Sequence, residues 1–245
     1  MIPVLLAAVA FVAFWKLVVV IGNYPPYLLP APEVVGSRLV EAWTDGTIAP
    51  HALATLTEIG WGLLIGTVLA VVVGYALARS PLADRLLSPY LVAAQATPIL
   101  VLAPLLVLWL GTGIAAKVVI CALIVFFPIA IATIVGIRSV DARLLELGRS
   151  LRATRLQVFR HLELPAAMPQ ILGGLRVGAT LSVIGAIVGE WAAPDRGLGV
   201  LVNIARGSLF DTPLMFATLL TLAAIGVLLY LIVVLLERAL VGSWR

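Results

Sequence analysis

Apolar residues fall along this chain in six runs of roughly the 20 residues that a helix needs to cross a hydrocarbon core, separated by polar or proline-rich stretches. The runs cover Pro3 to Ile21, Leu53–Ala78, Tyr90–Leu110, Val118–Ile137, Ile171–Ala192 and Leu214–Leu236. A backbone exposed to lipid must satisfy its own hydrogen bonds, so each run predicts a helix. The alternating segments of a membrane β-barrel do not appear. Pro98 and Pro104 are expected to interrupt the third run, and Pro128 lies inside the fourth. Between the first two runs, Pro25, Pro26, Pro30 and Pro32 forbid a long helix. A short surface helix is expected there over Pro32–Trp43. The stretch from Arg79 to Arg85 should end the second span, and a longer polar segment, Arg138–Gln170, joins the fourth run to the fifth. The expected organisation is a first transmembrane helix (1–22), an extracytoplasmic segment (23–52) and a core domain of five transmembrane helices (53–245). The fold class is an all-α integral membrane protein with about six transmembrane helices.

Composition agrees with a membrane protein and excludes a soluble one. Of 245 residues, 62% are hydrophobic and only 11% are charged, more apolar surface than a soluble domain can cover. The first run lacks a basic n-region, exceeds a typical signal-peptide core and continues into Gly22-Asn23-Tyr24-Pro25-Pro26 without a small-residue cleavage site. It reads as a retained span. The net charge of +4 matters less than its placement, and no soluble basic domain exists to bind nucleic acid. Arg79, Arg85, Arg138, Arg143, Arg149, Arg152, Arg155, Arg160, Arg238 and Arg245 fall on one side, against Arg38, Lys117, Arg196 and Arg206 on the other. By the positive-inside rule, both termini and the 138–170 segment are cytoplasmic. The lone Cys121 sits in an apolar run and reads as a small buried hydrophobe.

The 138–170 segment is too polar for lipid, yet its apolar residues recur at helical spacing. Leu144, Leu145, Gly148 and Leu151 share one face, as do Leu156, Phe159 and Leu162 further on. Asp141 is placed to cap a first helix, and Thr154-Arg155-Leu156-Gln157 has the form of a capping box that starts a second. Two short amphipathic helices joined by a turn are therefore expected. An apolar stripe flanked by arginines suits anionic lipid headgroups and a protein partner alike.

The same segment resembles the signature loop of bacterial ABC-importer permeases, whose pattern is Glu-Ala-Ala, three residues, Gly, nine residues, Ile-x-Leu-Pro. Glu146, Leu147 and Gly148 stand at the Glu-Ala-Ala positions, Arg152 at the glycine, and Leu162, Leu164 and Pro165 at the ending. Leu29-Pro30-Ala31-Pro32, Gln95-Ala96-Thr97-Pro98, Ala103 to Gly111, Phe126-Phe127-Pro128 and Gly189-Glu190-Trp191 with Gly197-Leu198-Gly199 extend the likeness along most of the chain. They resemble the permeases for sulfonates, taurine, nitrate, thiamine-pyrimidine precursors and riboflavin, the last two being favoured.

The resemblance implies a MetI-like permease fold in a bacterial cell membrane and a 138–170 loop that couples to a separate ATP-hydrolysing subunit. Glu146, Leu151, Leu162 and Pro165 would hold the docking geometry. ATP and magnesium would reside on two such subunits, a substrate-binding protein would dock outside, and a second permease chain, as a homodimer, would complete the pathway. Closure of the ATPase pair would pull the two loops together and open the spans outward. Arg152 departs from the pattern: if the turn needs a positive φ, a residue with a Cβ costs about 1 kcal/mol or more there.

Polar residues within spans are the candidates for a path. Gln95, Thr97 and Pro98 sit where a broken helix could turn carbonyls into a cavity, or where the polar groups could bond a neighbouring helix. Glu190 reads either as a path-lining group or as an interfacial anion paired with Arg196 or Lys117. Thr55 and Glu58 read as interfacial, Gly173, Gly174 and Gly178 as packing positions, and His51 and His161 as solvated loop residues without a metal partner. Gly111 to Val118 only approximates a phosphate-binding loop, lacking its second glycine and its hydroxyl. No catalytic motif or cofactor site is expected in this chain. The rival reading is an ion-gradient-driven secondary transporter, which should show inverted repeats and mid-membrane charges.

Overall fold

The computed structural model describes residues 2–241, and every regular element among them is helical. The helices are α1 (Ile2–Gly22), α2 (Pro32–Thr44), α3 (Ala49–Arg79), α4 (Pro81–Ala96), α5 (Ile99–Leu110), α6 (Ile114–Arg138), α7 (Ala142–Ser150), α8 (Arg155–Val158), α9 (Leu164–Ala192), α10 (Leu198–Gly207) and α11 (Thr212–Val241). Four unbroken stretches are long and apolar enough to cross a bilayer: Ala49–Arg79, Ile114–Arg138, Arg155–Ala192 and Thr212–Leu240. The pair α4 and α5 passes the same test only when taken together, and is bent by 98° at its junction. α1 is apolar too, but over Leu6–Gly22 it is shorter than these spans, so four or five spans replace the expected six.

Three departures from the expected elements have local causes. The loop expected over Arg79–Arg85 shrinks to Ser80, whose hydroxyl accepts the Ala83 amide at 3.2 Å and caps α4, while Pro81 occupies a first-turn position. In the third run only Pro98 breaks the helix; Pro104 lies within α5. Thr97, the residue before Pro98, is extended at φ −76°, ψ 124°, because the proline ring disfavours the helical region there. The expected second short helix of the 138–170 segment does not end before the fifth span. It runs through a π turn (Phe159–Glu163) into α9, making one 38-residue helical stretch. The wide turn, closed by the Leu164 amide on the Phe159 carbonyl, comes immediately before Pro165, whose ring needs clearance from the preceding turn.

α3, α6 and α9 pack most extensively and form the centre of the chain. Small residues set their spacing. Cys121 of α6 is fully buried, with Gly62 of α3 on one side and Gly185 of α9 on the other. A Cβ on Gly62 would stand 2.5 Å from the Cys121 sulfur, and one on Gly185 would stand 2.8 Å from the Cys121 Cα. Gly174 and Gly178 also meet α6, but Gly173 has open space beside it. Around this centre, α2 is tied to the start of α11 by Arg38 Nε donating to Asp211 Oδ2 at 2.8 Å, a bond that is the largest cause of a raised Arg38 pKa. Trp15 of α1 stacks on Phe216 of α11 with ring centroids 5.7 Å apart. α4 buries none of its residues within the chain.

Gly62→Val should force α3 away from α6 at Cys121. Overpacking of this kind costs about 1–3 kcal/mol, so a lowered melting temperature of the purified protein is the expected result.

Candidate functional site

The Arg-rich end of the spans carries the segment that resembles the permease loop. α7 ends in a Schellman turn: the Ala153 amide donates to the Gly148 carbonyl at 2.9 Å, and Arg152 takes the left-handed position at φ 54°. The glycine position of the pattern therefore does require a positive φ, and arginine adopts it. Directly after the turn, Thr154 caps α8 as expected. Its hydroxyl accepts the Gln157 amide at 3.3 Å, and Gln157 Oε1 accepts the Thr154 amide at 2.8 Å.

The face expected from spacing divides in two. Gly148 is buried against Val158 and Leu162, and Leu145 is half-buried. Leu144, Leu147 and Leu151 point outward instead, 45%, 55% and 73% exposed, beside the exposed Glu146. An apolar row of three leucines in water is unfavourable unless something covers it. Leu162, Leu164 and Pro165 are half-buried on the other limb.

Glu163 joins this segment to the span centre. It is 1% exposed, pairs with Arg79 at the end of α3, and accepts the Tyr75 hydroxyl at 3.1 Å. Tyr75 also meets the Phe159 ring edge-on at 5.0 Å. Nearby, Arg138 at the end of α6 donates to the Leu77 carbonyl at 3.2 Å and pairs with Asp84 of α4 at 2.7 Å. Sequence pattern did not single out Tyr75 or Glu163, and it placed Arg79 only at the end of the second span, among the one-sided arginines. The available signal was a lone acidic residue between Leu162 and Leu164 in an arginine-rich stretch.

At the opposite end a second buried network closes the bundle. Glu190 is fully buried, receiving the Thr55 hydroxyl on Oε1 and the Gly199 amide on Oε2, each at 2.5 Å. Thr55 in turn accepts the Leu198 amide at 2.8 Å. Lys117, 3% exposed, reaches Glu58 Oε1 at 3.0 Å and donates to the Arg196 carbonyl at 2.7 Å. His51 Nδ1 lies 3.1 Å from the Gly197 amide nitrogen and 2.8 Å from its carbonyl oxygen. Gly197 is at φ 143°, and a Cβ there would meet the Glu190 carboxyl at 2.1 Å. These groups bind the turn between α9 and α10 to α3 and α6.

Several expectations change here. Glu190 is buried with both oxygens hydrogen-bonded, and of the two cations expected beside it Lys117 lies in the same network while Arg196 contributes its backbone carbonyl. Thr55 and Glu58 are buried members of the same network, not interfacial groups. His51 lies in α3 against Gly197, not in a solvated loop; His161 is exposed, with its Nδ1 3.0 Å from the Gln157 carbonyl oxygen. Gln95, Thr97 and Pro98 are all exposed at the bend between α4 and α5, and the Thr97 hydroxyl returns to the Ala93 carbonyl at 3.0 Å.

Comparison with known proteins gives a consistent picture. The family described as binding-protein-dependent transport system inner membrane component matches residues 62–242. The riboflavin transport system permease protein RibX of Chloroflexus aurantiacus is 43% identical over 228 residues, 93% of this chain and 85% of its own. The formylaminopyrimidine transport permease protein ThiX of Halalkalibacterium halodurans is 36% identical, covering 90% of this chain and 87% of its own. Among solved structures, an inward-facing MetNI methionine ABC transporter superposes with a TM-score of 0.68 at 20% identity, over 77% of this chain and 93% of that one. At that identity the likeness establishes the fold alone.

Three substitutions test the two ends. Arg152→Gly removes the Cβ from a left-handed residue and should stabilise the protein by about 1 kcal/mol, read as a raised melting temperature. Lys117→Met leaves buried carboxylates without their cation and should destabilise it by about 3–5 kcal/mol. Adding Glu58→Gln to Lys117→Met should restore part of that loss in the same thermal measurement.

Proposed function

We propose, for a chain that belongs to the binding-protein-dependent transport system inner membrane components, that it forms half of the pathway of a riboflavin-type importer worked by a separate ATPase. The coarser part is plain: the chain is a multi-pass permease component of an ABC importer. The coupling to an ATPase rests on one observation, the outward leucine row of α7 continuous through a tight turn with the helix that becomes α9, and the substrate on similarity to RibX.

That row supplies a docking surface of protein-partner chemistry. Leu144, Leu147 and Leu151 offer apolar area, and Glu146 beside them offers a charge for register. On this reading an ATP-hydrolysing subunit, carrying ATP and magnesium, covers α7 from the cytoplasm. Two ATPase subunits face two permease chains in a homodimer, and a substrate-binding protein docks at the Glu190 end outside. Both termini then lie in the cytoplasm of a bacterial cell, in line with the arginine bias. The exposed α4 and the bend at Gln95, Thr97 and Pro98 would face the second chain and line the path. Leu162, Leu164 and Pro165 act from behind the docking face, fixing the angle between α7 and α9. Riboflavin is the substrate preferred on similarity to RibX, ahead of a pyrimidine precursor or a sulfonate.

The test is uptake by the reconstituted complex with its own ATPase and binding protein. ATP should drive riboflavin import with the ion gradient collapsed. Import that follows an ion gradient without ATP would overturn the reading, and ATP-driven import of a sulfonate in preference would overturn only the substrate. Glu146→Lys should leave the chain in the membrane but abolish most ATP-dependent uptake and reduce ATPase co-purification; unchanged values of both would remove Glu146 from the docking face.

A further inference from the structure

Between the Arg-rich end of α3 and the α7–α8 elbow lies a cavity of about 980 Å³, lined by Val71, Val72, Tyr75 and Arg79 on one side and Arg155, Leu156 and Phe159 on the other. Its size is at the upper end of pockets that hold small organic ligands, roughly 300–1,000 Å³. The lining is graded by depth. α3 has 31 residues, a length of about 46 Å at about 1.5 Å per residue, against a hydrocarbon core of about 30 Å. For a centred span, Val71 and Val72 fall inside the edge of the hydrocarbon. Tyr75 then sits at the boundary, where amphipathic rings are favoured, and Arg79 lies about 6 Å beyond Tyr75, level with headgroups.

Charge follows the same grading. At this end Arg79 is matched by Glu163 and Arg138 by Asp84. Arg155 is exposed, and among the described residues no carboxylate lies within 4.0 Å of its guanidinium. Of the two arginines that line the cavity, Arg155 is thus the one without an ion pair among the described residues, while Val72 and Leu156, 61% and 71% exposed, leave the apolar wall uncovered within this chain. Water would fill such a wall at a cost; an acyl chain would not. A soluble anion would satisfy Arg155 but not the valines, and a neutral lipid the reverse.

We propose that this cavity is a binding site for an anionic phospholipid, its phosphate on Arg155 and the upper part of its chains against Val71, Val72 and Leu156. The lipid would wedge between α3 and the elbow that carries the docking face, so the composition of the membrane would act on that elbow. The site rests on the proposed orientation only for which leaflet supplies the lipid.

The complex of permease and ATPase, purified in mild detergent, would be given equal phosphatidylglycerol and phosphatidylcholine and examined by native mass spectrometry. Phosphatidylglycerol should be retained in preference, and Arg155→Gln should reduce its retention roughly five-fold, the effect of one surface arginine on an anionic lipid. Arg206→Gln, at an exposed position expected on the other face, should leave retention unchanged. Equal retention of both lipids, no effect of Arg155→Gln, or displacement by millimolar inorganic phosphate would overturn the proposal. Retention only after the ATPase is stripped away would also overturn it, because a protein surface would then occupy the cavity. Since lipid retention is read without transport, failure here would leave the importer reading standing, and failed uptake would leave the lipid site standing.

Discussion

Glu163 is the interaction on which the Arg-rich half of the protein depends. A carboxylate taken out of water is stable only when paired and hydrogen-bonded, and Arg79 and the Tyr75 hydroxyl supply both. Its position sets the geometry: it is the last residue of the π turn, with α8 on one side and Pro165 and the α9 span on the other. Pinning Glu163 to α3 therefore fixes where the elbow leaves the membrane and how α7, folded back through the Arg152 turn, presents its leucines. A segment that looks like a loop by polarity is in consequence an extension of a transmembrane helix.

The opposite end uses the same chemistry for a different purpose. Lys117, Glu58, Thr55 and Glu190 come from α3, α6 and α9, and they converge on the turn at Gly197. Helices in lipid lack the hydrophobic drive that water gives, so close packing and buried polar bonds hold them. Here the two are combined, with small residues bringing the helices together around Cys121 and polar ties closing the end. The central three helices are thus held at both ends, while α4 and α1 remain lightly attached. The parts free to meet other chains or lipid are the parts that bury least.

Much of this was legible in the sequence. Four of the apolar runs matched their helices to within about five residues, since lipid imposes length and internal hydrogen bonding. The helices of the third, however, begin at Pro81 rather than Tyr90, and the helical stretch of the fifth at Arg155 rather than Ile171. The Thr154 capping box was read from residue type and spacing, which act locally, whereas the positive φ at Arg152 was raised only as a condition, by the glycine that the resembling pattern has there. What escaped were long-range pairings. Nothing near Glu190 in sequence announces Thr55, and His51 looks like a loop residue until Gly197 is seen against it. The continuity of α8 with α9 was hidden by Pro165, which reads as a stop unless a π turn gives its ring room. The inward placement of Gly148 and outward placement of Leu147 likewise needed the second limb, because a helix alone does not say which face is covered.

The central claim is that the elbow and α9 move as one body. Nitroxide labels at Arg160 and Thr180, both exposed on the α8–α9 stretch, should stand about 30 Å apart at about 1.5 Å per residue, with the buried Cys121 unlabelled. In the complex with its ATPase, pulsed electron resonance should give the same distance with and without ATP, while the distance from Arg160 to its counterpart in a second permease chain changes. A shift of several ångströms within the Arg160–Thr180 pair on adding ATP would make the π turn a hinge and contradict the account.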